Sequence, residues 1–108
     1  MYYTYLLRCT DGSLYTGIAS DWKRRMKQHF TQDPKCAKYT RSHRPQMLCA
    51  VWESTDRATA SRLEYHLKRR SKSQKELLAA GADLRQIFPD AEFCSSYRLL
   101  SEEERCDE

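Results

Sequence analysis

The sequence predicts an α+β domain in which a small three-stranded antiparallel sheet is flanked by helices. Two strand-like segments meet at an Asp-Gly turn close to the N-terminus. A third strand-like segment lies near the middle of the chain, and helical apolar patterns follow the second and the third strands. The length of 108 residues suits a single domain with a modest core.

The first two strands are expected to form a hairpin. Residues 2–9 are rich in aromatic and apolar residues, and residues 14–18 resume this pattern after the Asp11-Gly12 turn signal. Gly17, near the end of the second strand, indicates either a close approach to the backbone or a change of direction of the chain. A third strand is predicted over residues 47–53.

The first helix is predicted over residues 22–30, directly after the hairpin. Trp22, Met26 and Phe30 recur every four residues, so we expect them to form one buried stripe. A second helix is predicted through about residue 70, after the third strand.

A third helix is predicted to end at Gly81, with one more turn over residues 84–88. Residues that favour the beginning of a helix precede all three helices. These candidate N-caps are Ser20 or Asp21, Thr55 or Asp56, and Ser73 with Glu76 as a capping box.

Basic residues concentrate between residues 23 and 46, which hold eight lysines and arginines against one acid. Residues 31–45 are expected to be irregular. A compact basic region of this kind suits a phosphate backbone, although a solvated cationic surface is the alternative. The residues expected to contact nucleic acid are Arg24, Lys38, Arg41 and Arg44, with Tyr39 able to stack on an unpaired base.

The C-terminal end has the opposite charge. Residues 101–108 carry five acids and one base, which leaves a net charge of +8 on the first hundred residues of a chain whose total is +4. We expect a folded domain over residues 1–90 and a frayed acidic tail over residues 91–108.

The number and spacing of the cysteines indicate the cellular compartment of the protein. The chain has five cysteines, an odd number, without a C-x-x-C pair or a signal peptide, which indicates free buried thiols in a reducing cytoplasm. A zinc site from Cys36, His43 and Cys49 is a weaker alternative, because the spacing matches no standard ligand pattern. No apolar run approaches the roughly 20 residues that span a bilayer, so we expect no membrane partner.

Two tyrosine-containing segments and three polar residues form a recognisable pattern. Tyr3-Thr4-Tyr5 is followed after nine residues by Tyr15-Thr16-Gly17, then by Arg25 ten residues after Tyr15, His29 four residues later, and Glu64 on the second helix. This pattern resembles the GIY-YIG nucleases over about residues 2–80. The first signature lacks its glycine, and the chain has no Asn, which many members carry after the glutamate.

The resemblance implies a metal-dependent endonuclease that hydrolyses phosphodiester bonds in DNA. Repair or recombination, with branched or damaged DNA as substrate, is the expected context, and RNA is the alternative substrate. The residues implied as catalytic are Tyr5, Tyr15, Arg25, His29 and Glu64, with Glu64 as the ligand of Mg²⁺ or Mn²⁺. Arg25 would hold phosphate oxygens, and the general base is left open among Tyr5, Tyr15 and His29.

Other interpretations stand beside this one. The changed first signature and the missing Asn favour a nucleic-acid-binding module that keeps the nuclease fold with little or no catalysis. The charge distribution also allows a metal-free interaction domain whose acidic tail screens the basic face. For Glu64, the alternative to a metal ligand is a surface residue that pairs with Lys68 four residues later on the same helix. The oligomeric state is left open.

Overall fold

The computed structural model describes residues 1–105 and shows a four-stranded antiparallel sheet with helices on both faces. The strands are β1 (Tyr2–Cys9), β2 (Leu14–Ala19), β3 (Pro45–Ser54) and β4 (Arg98–Leu99). The helices are α1 (Trp22–Phe30), α2 (Lys38–Ser42), α3 (Arg57–Lys68), α4 (Lys72–Ala79), α5 (Ala91–Ser95) and α6 (Glu102–Arg105). A 3₁₀ turn spans Leu84–Gln86.

The strand order is β2-β1-β3-β4, so β1 lies between two antiparallel neighbours. The predicted hairpin is confirmed, and Gly12 in its turn has a φ of +87°, a conformation that favours glycine. The α+β prediction is also confirmed, with four strands in place of three. The additional strand, β4, has two residues, which is too short to show a periodicity in the sequence.

One face of the sheet packs against α1. The core on this face is formed by Tyr5, Leu7, Trp22, Met26, Val51 and Leu100. The prediction that Phe30 belongs to the buried stripe is wrong, because Phe30 is 42% exposed while His29 is fully buried. At 3.6 residues per turn, His29 lies about 20° from the direction of Trp22, whereas Phe30 lies about 80° away.

The other face carries the larger core. It packs against α3, α4 and the C-terminal segment through Leu6, Ala50, Trp52, Leu63, Leu67, Leu78, Leu84, Ile87, Phe88, Cys94 and Tyr97. The hydroxyl of Thr4 on β1 donates to the carbonyl of Ala60 on α3 at 3.0 Å, which satisfies a buried polar group. Each of the two cores contains one of the two tryptophans of the chain, Trp52 on this face and Trp22 on the face of α1.

The C-terminal segment belongs to the fold through residue 100. Cys94, Tyr97 and Leu100 are buried, and the Tyr97 hydroxyl donates to the carbonyl of Thr59 at 2.7 Å. The domain end predicted at residue 90, with a frayed tail from residue 91, is therefore wrong for residues 91–100. Isolated apolar residues among charged ones form no pattern from which this packing could be recognised. Residues 106–108, including Cys106, lie outside the described residues.

Side-chain caps decide where the helices begin. The predicted caps Asp21 and Asp56 are confirmed, because each carboxylate accepts a hydrogen bond from the backbone N–H three residues later. The predicted cap Ser73 is wrong. Ser71 caps α4 instead, and the carboxylate of Glu76 pairs with an arginine of β1.

The segment predicted to be irregular between α1 and β3 contains α2. This helix has five residues, and its N-cap position is held by Ala37, whose side chain makes no capping bond. A short helix without a capping residue leaves no signal in the sequence.

The cysteines of the described residues are free. Cys9, Cys36 and Cys94 are buried, whereas Cys49 is partly exposed, which corrects the expectation that all the thiols are buried. Over residues 1–105, none of the helices has the length and apolar character needed to cross a membrane.

Candidate active site

Tyr5 lies in the middle of β1, directly opposite Gly17 of β2. The tyrosine ring rests so closely on Gly17 that a Cβ at that position would come within 2.5 Å of Tyr5 Cζ and nearer still to the hydroxyl. Gly17 is therefore needed for space, and the close approach is the one of the two sequence-based alternatives that the structure shows.

A chain of hydrogen bonds runs from Tyr5 through α1 to α2. The Tyr5 hydroxyl and His29 Nε2 are 2.8 Å apart, and His29 Nδ1 lies 2.8 Å from Oγ1 of Thr40. The Thr40 hydroxyl donates to the carbonyl of Ala37 at 3.0 Å. The three side chains are buried, so bulk water does not compete for these bonds.

Burial also sets the protonation of Tyr5 and His29. Burial, followed by the proximity of Tyr15, raises the pKa of Tyr5 above its usual value. Burial, followed by the charge of Arg25, lowers the pKa of His29 to about 4. At neutral pH Tyr5 therefore keeps its proton and His29 is neutral, so the hydroxyl can donate to the imidazole.

Tyr15 of β2 begins a column of aromatic rings beside this pair. Its ring is 5.7 Å from that of His29 and 5.3 Å from that of Tyr39, and Tyr39 in turn stacks on His43 at 3.9 Å. Tyr39 therefore has two ring neighbours, and His43, with 36% of its side chain exposed, follows Tyr39 in this column. Stacking of Tyr39 on an unpaired base, as predicted from the sequence, would compete with these contacts.

Arg25 lies on α1 and holds the loop that follows that helix. Its Nη1 donates to Gln28 Oε1 at 2.9 Å and to the carbonyl of Lys35 at 2.6 Å. Arg41 of α2 donates to the carbonyl of Pro34 at 2.6 Å. The two arginines therefore position the loop, and the charge of Arg25 also acts on the buried tyrosine–histidine pair.

The remaining predicted nucleic-acid contacts lie on the surface around α1 and α2. Arg24 lines a shallow depression together with Lys27 and Lys35. Lys38 at the start of α2 and Arg44 just before β3 are exposed. These cations lie on or next to the elements that carry His29 and Thr40.

Glu64 faces the tyrosines from α3, with 23% of its side chain exposed. Its Oε2 lies 3.3 Å from Nζ of Lys68, which is the surface pairing considered from the sequence. The carboxylate is also close enough to raise the pKa of both Tyr5 and Tyr15, after the larger effect of burial. The ion pair and the proximity to the tyrosines therefore coexist.

The donor set decides whether a divalent ion fits here. Within residues 1–105 no group of three or more His, Cys, Asp or Glu side chains could hold a metal ion. Mg²⁺ commonly binds through one or two carboxylates and completes its shell with water and substrate phosphates. Glu64, a partly exposed carboxylate, fits a site of this kind, in which the substrate supplies further ligands.

Residues 1–77 match the GIY-YIG catalytic domain, and the chain belongs to this family. The resemblance predicted from the tyrosine signatures is thereby confirmed, and the family implies an endonuclease-type function.

The chain is similar to several small proteins named UPF0213. UPF0213 protein FN1575 of Fusobacterium nucleatum is 40% identical over 82 residues, which are 76% of this chain and 80% of that protein. UPF0213 protein YE0453 of Yersinia enterocolitica is 47% identical over 78 residues, 72% of this chain and 78% of that protein. A solution NMR structure of the UPF0213 protein BH0048 from Bacillus halodurans has a TM-score of 0.46 and 35% identity, covering 89% of this chain and 95% of that chain.

Sequence reasoning missed several side chains of this cluster. Thr40 lies on α2, a helix that the sequence does not predict, so its bond to His29 had no visible basis. His43 was considered from the sequence as a zinc ligand and not for its stacking on Tyr39. Lys68 had a visible signal, its spacing of four residues from Glu64, but its proximity to Tyr15 required the fold.

Proposed function

We propose that the protein is a metal-dependent endonuclease that hydrolyses phosphodiester bonds in DNA. The observation that carries this proposal is the buried hydrogen bond of 2.8 Å between Tyr5 and His29, beside the charges of Arg25 and Glu64. An aromatic hydroxyl bonded to a neutral imidazole is a device for moving a proton. The nearby cation and carboxylate suit a reaction on a phosphate ester.

Tyr5 and His29 together supply the general base. Because burial raises the pKa of Tyr5, the residue does not act as a preformed phenolate. Its oxygen takes a proton from the attacking water while its own proton passes to His29 Nε2. The water oxygen forms a bond to phosphorus, the bond to the leaving sugar oxygen breaks, and solvent protonates that oxygen. The buried imidazolium then returns its proton to Tyr5, whose oxygen releases one to solvent.

Arg25 stabilises the charge on the phosphate. A guanidinium has five N–H donors, and Arg25 uses three of them for Gln28, Lys35 and the Tyr5 hydroxyl, so the others can serve phosphate oxygens. The same negative phosphate favours the imidazolium form of His29, which burial and Arg25 otherwise oppose.

Glu64 is the residue that would hold the divalent ion, Mg²⁺ or Mn²⁺. When bound, the ion supplies Lewis-acid stabilisation of the charge that develops on the phosphate and the leaving oxygen. Lys68 neutralises the same carboxylate in the free protein and provides a further cation near the phosphate.

We propose DNA that is branched or damaged as the substrate, with a role in repair or recombination in the cytoplasm. The exposed cations around α1 and α2, which are Arg24, Lys38, Arg41 and Arg44, would bind its backbone. These contacts recognise phosphates, so RNA is the competing substrate.

The second candidate function is a nucleic-acid-binding module without useful catalysis. The pairing of Glu64 with Lys68 at 3.3 Å favours it, because a cation already satisfies the carboxylate that a metal would need. The absence of any Asn in the chain points in the same direction.

Cleavage of labelled duplex, single-stranded and branched DNA with Mg²⁺ or Mn²⁺ tests the proposal. Wild type should cleave, and Glu64→Ala should not, although it should still bind DNA. Glu92→Ala, which removes an exposed carboxylate on α5, is the matched control and should cleave like wild type. Binding without cleavage by wild type would favour the binding module instead.

A further inference from the structure

His29 is held at both ring nitrogens by hydroxyl groups. Tyr5 lies 2.8 Å from Nε2, and Thr40 lies 2.8 Å from Nδ1. A neutral imidazole carries one N–H, so one nitrogen donates and the other accepts. The position of that proton decides whether His29 can receive another from Tyr5.

The hydrogen of the Thr40 hydroxyl has its own acceptor. Oγ1 lies 3.0 Å from the carbonyl oxygen of Ala37 and donates to it. The same carbonyl also accepts the backbone N–H groups of Thr40 and Arg41. A hydroxyl that donates to it offers its lone pairs to His29, and this arrangement places the imidazole proton on Nδ1. Nε2 is then free to accept the O–H of Tyr5, and Arg25, the charged neighbour of that hydroxyl, has no lone pair with which to compete.

Gln32 fixes Thr40 relative to His29. Its Nε2 donates to the carbonyl of His29 at 2.9 Å and to that of Thr40 at 3.1 Å, which ties the end of α1 to α2. Gln32 has a φ of +56°, and no other non-glycine residue in the described part of the chain has a positive φ. This backbone conformation is unfavourable for a residue with a Cβ, so the chain retains strain at the point that holds Thr40 in place.

We infer that Thr40 is a positioning residue, whose hydroxyl keeps His29 in the tautomer that can accept the proton of Tyr5. The catalytic consequence rests on the proposed function, whereas the tautomer rests on the hydrogen bonds alone. In the opposite tautomer Nε2 donates to Tyr5, and a proton from the attacking water has no acceptor beyond the tyrosine. Loss of the Thr40 hydroxyl should therefore slow the chemical step without weakening DNA binding.

Ring ¹⁵N chemical shifts of His29 in the free protein at neutral pH test the tautomer without reference to activity. Thr40→Val removes the hydroxyl at nearly constant shape, and Thr40→Ser keeps it. Thr31→Val removes an exposed hydroxyl that bonds to the carbonyl of Lys27 and is the matched control. Wild type, T40S and T31V should show a protonated Nδ1 and an unprotonated Nε2, and T40V should gain a protonated Nε2.

Single-turnover cleavage of DNA tests the catalytic consequence. T40V should lower the rate about 100-fold with little change in DNA affinity, because misplacing a general base removes a contribution of that order. T40S should restore most of the rate. A loss that T40S does not restore would contradict a role for the hydroxyl.

Two results would overturn the inference: a protonated Nε2 in wild type, or unchanged ring shifts in T40V. If the shifts behave as expected and wild type does not cleave, the nuclease function fails while the positioning of His29 by Thr40 stands. Signal dispersion in the same spectra reports whether each variant folds. If T40V does not fold, the wild-type and T40S shifts still decide the tautomer.

Discussion

His29 is kept neutral by its surroundings. The ring is fully buried, and both the loss of hydration and the charge of Arg25 oppose its protonation. A histidine with a pKa of about 4 remains unprotonated across the neutral range. The proposed relay needs that property, because a histidine that is already charged cannot take a proton from Tyr5.

The same pKa makes the stability of the protein depend on pH. In the unfolded chain His29 has its ordinary pKa of 6.5, whereas in the folded protein its pKa is about 4. Between these two pH values the unfolded chain therefore binds a proton that the folded protein does not bind. The contribution of the neutral His29 to the free energy of unfolding is therefore fully present above about pH 6.5. It decreases as the pH falls toward 4, by at most about 3 kcal/mol.

Urea unfolding at pH values of about 7 and about 5 measures this loss. His29→Gln, which cannot titrate, should lose less stability between the two values than wild type does. Equal losses in the two proteins would mean that other groups account for the pH dependence.

Gly17→Ala should disturb Tyr5 more than it disturbs the sheet. The added Cβ would come within 2.5 Å of Tyr5 Cζ, so the ring must leave its place beside His29. We expect a loss of stability of about 1–3 kcal/mol and the loss of DNA cleavage.

A double-mutant cycle with Tyr5→Ala tests whether Gly17→Ala acts through the Tyr5 ring. Tyr5→Ala removes the ring atoms that the new Cβ would meet, so the loss of stability in the double variant should be smaller than the sum of the single losses. Additive losses would show that Gly17 does not act through Tyr5.

At the scale of whole elements, we expect the basic surface around α1 and α2 to provide most of the DNA affinity. Lys38→Ala with Arg44→Ala should weaken DNA binding and reduce the steepness of its salt dependence. The slope of log affinity against log salt should change by about 0.9 for each phosphate that the variant no longer neutralises, because fewer counterions are released. Fluorescence anisotropy over a series of salt concentrations measures this slope.

Arg57→Ala with Arg85→Ala removes the same charge from exposed positions away from α1 and α2 and is the matched control. The control should change affinity little and leave the slope unchanged. The same slope change in both pairs would mean that net charge, rather than this surface, governs binding.

Some helices can be predicted from local sequence patterns, whereas others cannot. α1 and α3 could be predicted because Asp21 and Asp56 mark their beginnings and their apolar residues recur at helical spacing. α2 could not, because it has no side-chain cap and its stability comes from contacts such as the bond between Thr40 and His29. The beginning of α4 was misplaced because two serines offer similar caps, and only the fold assigns Glu76 to another partner.

The candidate site was predictable to a similar degree. The spacing of the tyrosine signatures, Arg25, His29 and Glu64 in the chain carries the resemblance to the family, and the structure brings Tyr5, Tyr15 and His29 together. The burial of His29 and the stacking of Tyr39 depend on how α1 and α2 pack, which no local pattern encodes.

For the whole molecule, residues 91–100 complete the packing around the sheet. A chain ended after residue 90 loses β4 and the buried Cys94, Tyr97 and Leu100. Because each large buried side chain contributes about 1.5–3 kcal/mol, we expect this chain to unfold or to lose more than about 3 kcal/mol. A chain ended after residue 100 should keep a free energy of unfolding close to that of the full chain.

Urea denaturation followed by circular dichroism compares the three lengths. Equal stability of the chains ended after residues 90 and 100 would show that the C-terminal segment only rests on the domain. It would also restore the shorter domain boundary predicted from the sequence.

The two cores, one on each face of the sheet, give each layer its own optical probe. Trp22 reports on the layer of α1, and Trp52 reports on the layer of α3 and the C-terminal segment. Single-tryptophan variants, Trp22→Phe and Trp52→Phe, would let the emission of each layer be followed during denaturation. Coincident transitions would mean that β1, which contributes side chains to both layers, makes the domain melt as one cooperative unit.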